Sequence, residues 1–267
     1  MGAGRSRSRP ERSRPNGRHL LRSTHLAHEI VAAANVHAGE VVFEIGAGTG
    51  RLTQALAATG ARVLAVELHD RSIETLRRRF RAASNVVVVD GDVLNVPLPT
   101  SPFRAFGNIP FGLTTQILRR LLDDPEGPLR RADLIVQYDV ARKRSSVWPS
   151  DLLSLGWLPW WDIRLARRLA AAAFEPAPSV DAAVISITRR EPPLLPPAVR
   201  REYLSLVGAA FRRANVPVDR ALRDRVPDGV WGRVARERGD PRRSRATELD
   251  VFAWTAVFRL TSGLDRR

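Results

Sequence analysis

Short apolar runs alternate with amphipathic stretches along this chain as far as residue 190, a rhythm that predicts sheet strands separated by covering helices. Val41-Val42-Phe43-Glu44-Ile45, Val63-Leu64-Ala65-Val66, Val86 to Val89, Phe103-Arg104-Ala105-Phe106-Gly107 and Leu134-Ile135-Val136-Gln137-Tyr138 read as strands. Ala183 to Thr188 reads as a last strand that closes the sheet. Helical spacing places Leu26, Ile30 and Ala33 or Ala34 inward over Thr24–Asn35, and Leu52, Ala55 and Leu56 inward over Arg51–Thr59. It groups Ile73, Leu76 and Phe80 over Arg71–Ala82, with Arg77 to Arg79 outward, and buries Ile117, Leu118, Leu121 and Leu122 over Gln116–Asp123. The proline-rich break Pro192 to Pro197 changes the character, and helical segments follow at about Val199–Arg213, Arg220–Arg225, Trp231–Arg238 and Glu248–Thr261. The expected organisation is a tail over 1–16, an α/β domain over 17–190 and a small all-α domain over 191–267. No internal repeat is visible.

Composition sharpens this picture. At 267 residues and 44% hydrophobic, the chain can build a sizeable core. Its 43 basic against 28 acidic residues leave a net charge of +15, which argues for a polyanionic partner. Lys143 is the one lysine; an arginine bias follows from a GC-rich genome as readily as from RNA recognition, so only the charge is used. Absent cysteine excludes disulfides, cysteine-based zinc sites and thiol nucleophiles. The five histidines show no metal-ligand spacing, and no metal is expected. No apolar run reaches the length that spans a bilayer, so a soluble cytoplasmic protein is expected. Arg5, Arg7, Arg9, Arg12 and Arg14 alternate with Ser and Pro in a tail expected to be disordered, either a solvated segment or an RNA-gripping arm.

Candidate chemistry gathers at the ends of the expected strands. Gly46-Ala47-Gly48-Thr49-Gly50 breaks the first strand and opens a helix, a geometry that lets a ligand approach bare backbone. The spacing is GxGxG rather than the GxGxxG of dinucleotide sites, and alone it fits a nicotinamide oxidoreductase as well. Glu67 ends the second strand, where a carboxylate can bind both hydroxyls of a ribose. Asp90-Gly91-Asp92 ends the third; Asp92 is the better acceptor for an adenine amino group, and Asp90 is expected to be solvated. After the fourth comes Asn108-Ile109-Pro110-Phe111. An asparagine carbonyl can accept from an exocyclic amine, and Pro110 biases Ile109 toward an extended conformation that aims a backbone carbonyl the same way. Phe111 offers a face on which a purine can stack, worth about 1–3 kcal/mol per base. An adenosine-containing ligand satisfies the first three sites.

These motifs, in this order, resemble the rRNA adenine N6-methyltransferases that use S-adenosylmethionine. Glu44-Ile45-Gly46-Ala47-Gly48-Thr49-Gly50, Glu67, Gly91-Asp92 and Asn108-Ile109-Pro110-Phe111 carry the resemblance, together with Leu134 to Tyr138 and Phe174-Glu175-Pro176-Ala177-Pro178-Ser179-Val180-Asp181. Gly107 to Phe111, followed by Gly112 and Thr114-Thr115, is closer to the Erm branch, which methylates 23S rRNA and confers macrolide–lincosamide–streptogramin B resistance.

The resemblance implies a Rossmann-like S-adenosylmethionine-dependent methyltransferase domain with a small C-terminal all-α domain, acting as a monomer on 23S rRNA. The 16S-directed sister enzymes and a non-catalytic rRNA-binding assembly factor are the alternatives. It assigns cofactor contact to His19, Leu21, Gly46, Gly48, Glu67, Asp92 and Asn108, and catalysis to Asn108, Ile109, Pro110 and Phe111. The family opens on Gln-Asn-Phe-Leu where this chain has Arg18-His19-Leu20-Leu21; His19 can still donate a hydrogen bond and Leu21 keeps an apolar position. RNA contact is implied for Phe111 and for Phe174, whose loop closes over the target base in the family, with a core position as the rival reading. Arg142, Lys143 and Arg144 form a candidate phosphate cluster, or solvated helix charge. Trp148, Trp157, Trp160 and Trp161 are expected to be packing residues.

Overall fold

The computed structural model describes residues 19–149, 151–238 and 241–264. The Arg-rich tail and Arg18 lie outside the described residues. The strands are β1 (Leu20–Leu21), β2 (Val41–Ile45), β3 (Arg62–Glu67), β4 (Val86–Asp90), β5 (Phe103–Asn108), β6 (Leu129–Gln137), β7 (Trp161–Leu169), β8 (Phe174–Glu175) and β9 (Ala182–Arg189). The helices are α1 (Thr24–Ala34), α2 (Arg51–Ala58), α3 (Asp70–Arg79), α4 (Thr114–Leu122), α5 (Tyr138–Arg144), α6 (Leu152–Leu155), α7 (Arg200–Phe211), α8 (Val218–Ala221), α9 (Asp228–Arg238) and α10 (Val251–Ser262).

Seven strands form one sheet in the order β4-β3-β2-β5-β6-β9-β7, and β1 pairs with β8 in a separate two-stranded ribbon. The pairs from β4 to β6 are parallel, while β9 runs antiparallel to both β6 and β7. Alternation along each strand sends neighbouring side chains to opposite faces. Phe43, Ala105 and Leu134 enter one core, and Val42, Phe106 and Ile135 enter the other. The arrangement is the Rossmann-like α/β class expected.

Local signals explain the helix limits. Ser23 caps α1, its hydroxyl accepting from the Leu26 amide at 3.1 Å, and Asn35 ends it in the left-handed conformation at φ 53°. Arg104 is buried beneath that end and donates to the carbonyls of Ala34 (2.6 Å) and Asn35 (2.9 Å) while facing Glu40 and Asp133. A guanidinium there satisfies helix carbonyls and opposes the negative end of the dipole. Within α1 the inward residues are Ala27, Ile30, Val31 and Ala34, so Leu26 is only half-buried and Ala33 faces out.

One expectation about the sheet changes. Ala182–Arg189 does not close it, because β7 pairs along its outer side. The arginines Arg164, Arg167 and Arg168 mask β7 in the sequence, and charge on an edge strand discourages pairing with another chain. Trp157, Trp160 and Trp161 are core residues, as expected, but Trp148 is 60% exposed. The helices from α7 onward pack against the same core that covers one sheet face. Tyr203 joins the two, meeting the Trp160 ring edge-on at 5.9 Å and the Phe258 ring at 5.6 Å. Among the described residues no helix is long and apolar enough to cross a membrane.

Candidate active site at the sheet's switch point

Strand order reverses between β2 and β5, and in an open α/β sheet the crevice beyond that point is where ligands bind. A cleft lies there, lined by His19, Leu20, Gly46, Gly48, Glu67, Asp92, Asn108, Pro110 and Phe111 among others. Segments from the first quarter of the chain and from the loops after β2, β3, β4 and β5 therefore meet in one place.

The glycine loop is shaped from below and above. Gly46 and Ala47 donate to the Val66 carbonyl at 3.0 and 3.1 Å, and Gly48 donates to the Glu67 carboxylate at 2.8 Å. The other Glu67 oxygen accepts from the amides of Leu68 and His69. This buried carboxylate thus fixes the loop as well as lining the cleft. Gly48 has φ +57°, and a Cβ on it would stand 2.8 Å from Leu20, so the backbone surface stays bare only with glycine.

Behind the loop, Glu44 is buried with one oxygen unpartnered among the described residues, and burial pushes its carboxyl up to about 7. The neighbouring Glu67 charge adds to the rise, against a Thr53 hydrogen bond. Asp92 lines the cleft and accepts from the Leu94 amide at 2.9 Å, whereas Asp90 is exposed and faces Arg77.

Asn108 is oriented by the N-terminal segment. Its amide nitrogen donates to the backbone carbonyl of His19. A carbonyl only accepts, so the amide must present its nitrogen there and leaves Oδ1 as the cleft-side acceptor. The next carbonyls divide their roles: Pro110 accepts from Leu113 at 2.9 Å, and no hydrogen bond among the described residues meets the Ile109 carbonyl. Ile109 itself is buried, so it contributes backbone rather than side chain. Phe111 is half-buried, with the His19 ring 5.6 Å from it. His19 in turn donates from Nδ1 to the Pro176 carbonyl at 2.8 Å, tying the cleft rim to the late motif.

That late motif is mainly structural. Asp181 accepts from the Ala171 amide at 3.0 Å and from Arg168 at 2.9 Å, and these bonds hold its carboxyl below the usual range. Its carbonyl accepts from the Tyr138 amide, while Arg168 stacks 4.5 Å over the Tyr138 ring.

Leu21 is almost wholly buried but lines a small cavity with Gly46, Ala47 and Asn108, while strand alternation turns Leu20, its neighbour, to the cleft. Two expected site residues are corrected. Phe174 is fully buried beside Leu21 and cannot stack on a base in this arrangement, because β8 pairs with β1 and turns the ring inward. Arg144 is buried, donating to Asp151 and Ser154, so it is not a phosphate contact. Arg142 and Lys143 remain at the surface, paired with Asp139 (3.8 Å) and Asp151 (2.9 Å). Leu20 and His69 were missed as cleft residues. Alternation in a two-residue strand leaves no readable sequence signal.

The residues present fit an adenosine-bearing sulfonium cofactor: a glycine loop at positive φ after β2, an acid at the end of β3 and another just after β4, and the Asn108 amide oxygen at the end of β5. Such a cleft on this sheet defines a methyltransferase that depends on S-adenosylmethionine.

Comparison with known proteins agrees. A family model described as ribosomal RNA adenine dimethylase matches residues 12–238, and the chain belongs to that family. An rRNA adenine N-6-methyltransferase of Bacillus licheniformis is 31% identical over 223 residues, covering 82% of this chain and 77% of that protein. The mycinamicin-resistance protein MyrB of Micromonospora griseorubida is 34% identical over 87% of this chain and 72% of its own. A ribosomal RNA small subunit methyltransferase A of Synechococcus is 34% identical over 90% of this chain and 89% of its own. Among solved structures, the 23S rRNA methyltransferase ErmE matches with a TM-score of 0.82 at 25% identity, over 91% of this chain and 99% of that one. The protein is an S-adenosylmethionine-dependent rRNA adenine methyltransferase.

Proposed function

We propose that this chain methylates N6 of a specific adenine in 23S rRNA and that the product confers macrolide–lincosamide–streptogramin B resistance. The observation that carries the reading is the orientation of Asn108, whose amide nitrogen is committed to His19 and whose oxygen is left to receive an amino group beside the Phe111 ring. Gly46, Gly48, Glu67, Asp92, Asn108 and His19 would hold the cofactor, which supplies when bound a methyl group on positively charged sulfur.

The rest is orientation by the protein. Asn108 Oδ1 accepts one N–H of the target amine and the Ile109 carbonyl accepts the other. Both bonds draw the nitrogen lone pair out of conjugation with the ring and aim it. Positioning of this kind supplies several kcal/mol of a barrier, up to about 7–11 in ideal systems. Phe111 presents its face to the adenine, which must leave its stack to arrive and does so at least cost in single-stranded or distorted RNA. Arg142 and Lys143 contact phosphates near the entrance. Added methyl groups remove N–H donors and add bulk where a macrolide binds.

Support for a 23S target comes from the Gly107–Phe111 run with Gly112 and Thr114, and from the fit to a 23S enzyme over nearly its whole length. The equal identity to a small-subunit enzyme favours 16S rRNA as the second reading. We further propose a cytoplasmic monomer, divided at residue 190 into a methyltransferase domain and a helical domain. Primer extension on 23S rRNA from cells expressing the chain, with mass spectrometry of the modified nucleoside, tests the proposal. A stop at one adenine together with macrolide resistance is the expected result; label confined to 16S rRNA overturns it.

A further inference from the structure

One surface feature has no part in the cleft. Trp148 is 60% exposed, beside Val147 at 42% and Leu152 at 38%. The other five tryptophans, Trp157, Trp160, Trp161, Trp231 and Trp254, are all at most 2% exposed. Leaving so large an apolar ring in water is unfavourable, and tryptophans are otherwise strongly buried.

The loop that carries it is held at three points. Arg144 and Asp151, at its two ends, close it with contacts of 2.8 Å, and Asp151 also caps α6 through the Ser154 amide. Ser146 Oγ donates to the Trp148 carbonyl at 3.0 Å and accepts from its amide at 3.2 Å. The Val251 amide donates to the Val147 carbonyl at 3.1 Å, tethering the loop to the start of α10. The buried Arg144 therefore works as a clasp beneath a presented ring.

The loop also stands in a definite relation to the cleft. It follows α5, which begins where β6 ends, and Ile135 of β6 pairs with Asn108. The seven residues of α5 carry the chain about 10 Å back from that strand end, toward the far end of α4, where Arg144 stands 5.7 Å from the Trp157 ring and Trp157 donates to Asp123. Arg142 and Lys143 lie in the last turn of α5, six and five residues before the ring in the chain, with Lys143 held by Asp151 at 2.9 Å. The Arg142–Asp139 pair is mostly exposed and long at 3.8 Å, so water competes with it easily. An exposed tryptophan close in the chain to surface cations, on a strongly basic protein, is a combination that binds unpaired nucleotides.

We propose that Trp148 is a second stacking platform for the RNA substrate, receiving an unpaired base outside the cleft while Arg142 and Lys143 meet phosphates of the same strand. This rests on the reading above that 23S rRNA is the substrate.

Because Trp148 is the one exposed tryptophan, acrylamide quenching of the intrinsic fluorescence of the full chain reports on it. The probe is an RNA hairpin carrying the 23S sequence around the target adenine. RNA is expected to remove most of the quenchable fluorescence. Trp148→Ala is expected to weaken hairpin binding about tenfold, with cofactor affinity unchanged, and Trp148→Phe to retain most of the binding. If the wild type binds and methylates the hairpin while quenching and W148A affinity stay unchanged, Trp148 is no platform, though the catalytic reading survives. If the wild type binds no RNA, both readings fall. Loss of quenching on raising protein concentration alone, with a dimer in sedimentation, would instead make the patch a contact between copies and overturn the proposal.

Discussion

Asn108 and His19 stand 89 positions apart in the chain, yet the side-chain amide of the first donates to the backbone carbonyl of the second. That one bond decides which end of the amide faces the cleft. It also makes the geometry of the acceptor depend on a segment that contributes no strand to the main sheet.

Replacing Asn108 by Ala removes the acceptor and frees the His19 carbonyl. Single-turnover methylation is expected to slow by about 100-fold or more, with a smaller loss of cofactor affinity by calorimetry. A variant that methylates at the parental rate would take Asn108 out of the chemistry.

Gly107 faces the end of β2, and a Cβ there would stand 2.4 Å from the Ile45 carbonyl oxygen. Backbone cannot yield as a flexible side chain can. Gly107→Ala is expected to lower the melting temperature and separate the glycine loop from Asn108, giving a loss of cofactor binding larger than the loss of stability. Unchanged melting and binding would show that β2 and β5 shift apart freely.

Glu44 supplies a pH test. Its folded pKa of about 7 lies above the ordinary carboxyl value of 4.5, so the native state holds the proton more tightly than the unfolded chain. Its contribution to stability is full below about pH 4.5 and is lost as pH rises through 7. Glu44→Gln is therefore expected to stabilise the protein above pH 7, by up to about 3 kcal/mol, and to have little effect near pH 5. Denaturant unfolding at both pH values measures it, and a stabilisation independent of pH would contradict this account.

Arg104 is the cation beneath α1, with Asp133 almost wholly buried against it and against Arg131. Arg104→Ala leaves the buried Asp133 carboxylate to Arg131 alone and uncaps the Ala34 and Asn35 carbonyls, for an expected loss of about 1–3 kcal/mol. Arg104→Ala with Asp133→Asn should recover part of that loss in a double-mutant cycle. Additive effects would argue against a shared network.

Tyr203 has a buried hydroxyl with no partner among the described residues, and burial pushes its ionisation far above the usual range. Tyr203→Phe keeps both ring contacts and removes the orphaned group, so stability is expected to hold or rise by about 1 kcal/mol. A clear loss in thermal unfolding would reveal a partner for the hydroxyl.

Most of the sheet and the cleft floor was legible because each depends on local pattern. Apolar runs mark β2 to β6, Gly46 to Gly50 follow a strand at once, and Asn108 to Phe111 carry their own conformational bias. What escaped depends on pairing across long separations. β7 is disguised by its arginines, whose charges lie outward on an edge. The two-residue β1 and β8 are too short for any period, yet their pairing buries Phe174 and Leu21 and turns Leu20 to the ligand side. Arg144 and Arg142 look alike in the sequence, and only the fold sends one inward to Asp151 and the other to water.

The clasp between His19 and Pro176 joins positions 157 apart. During synthesis the cleft rim stays unfinished until the later of the two has left the exit tunnel. The rim is therefore completed only after most of the chain has been made.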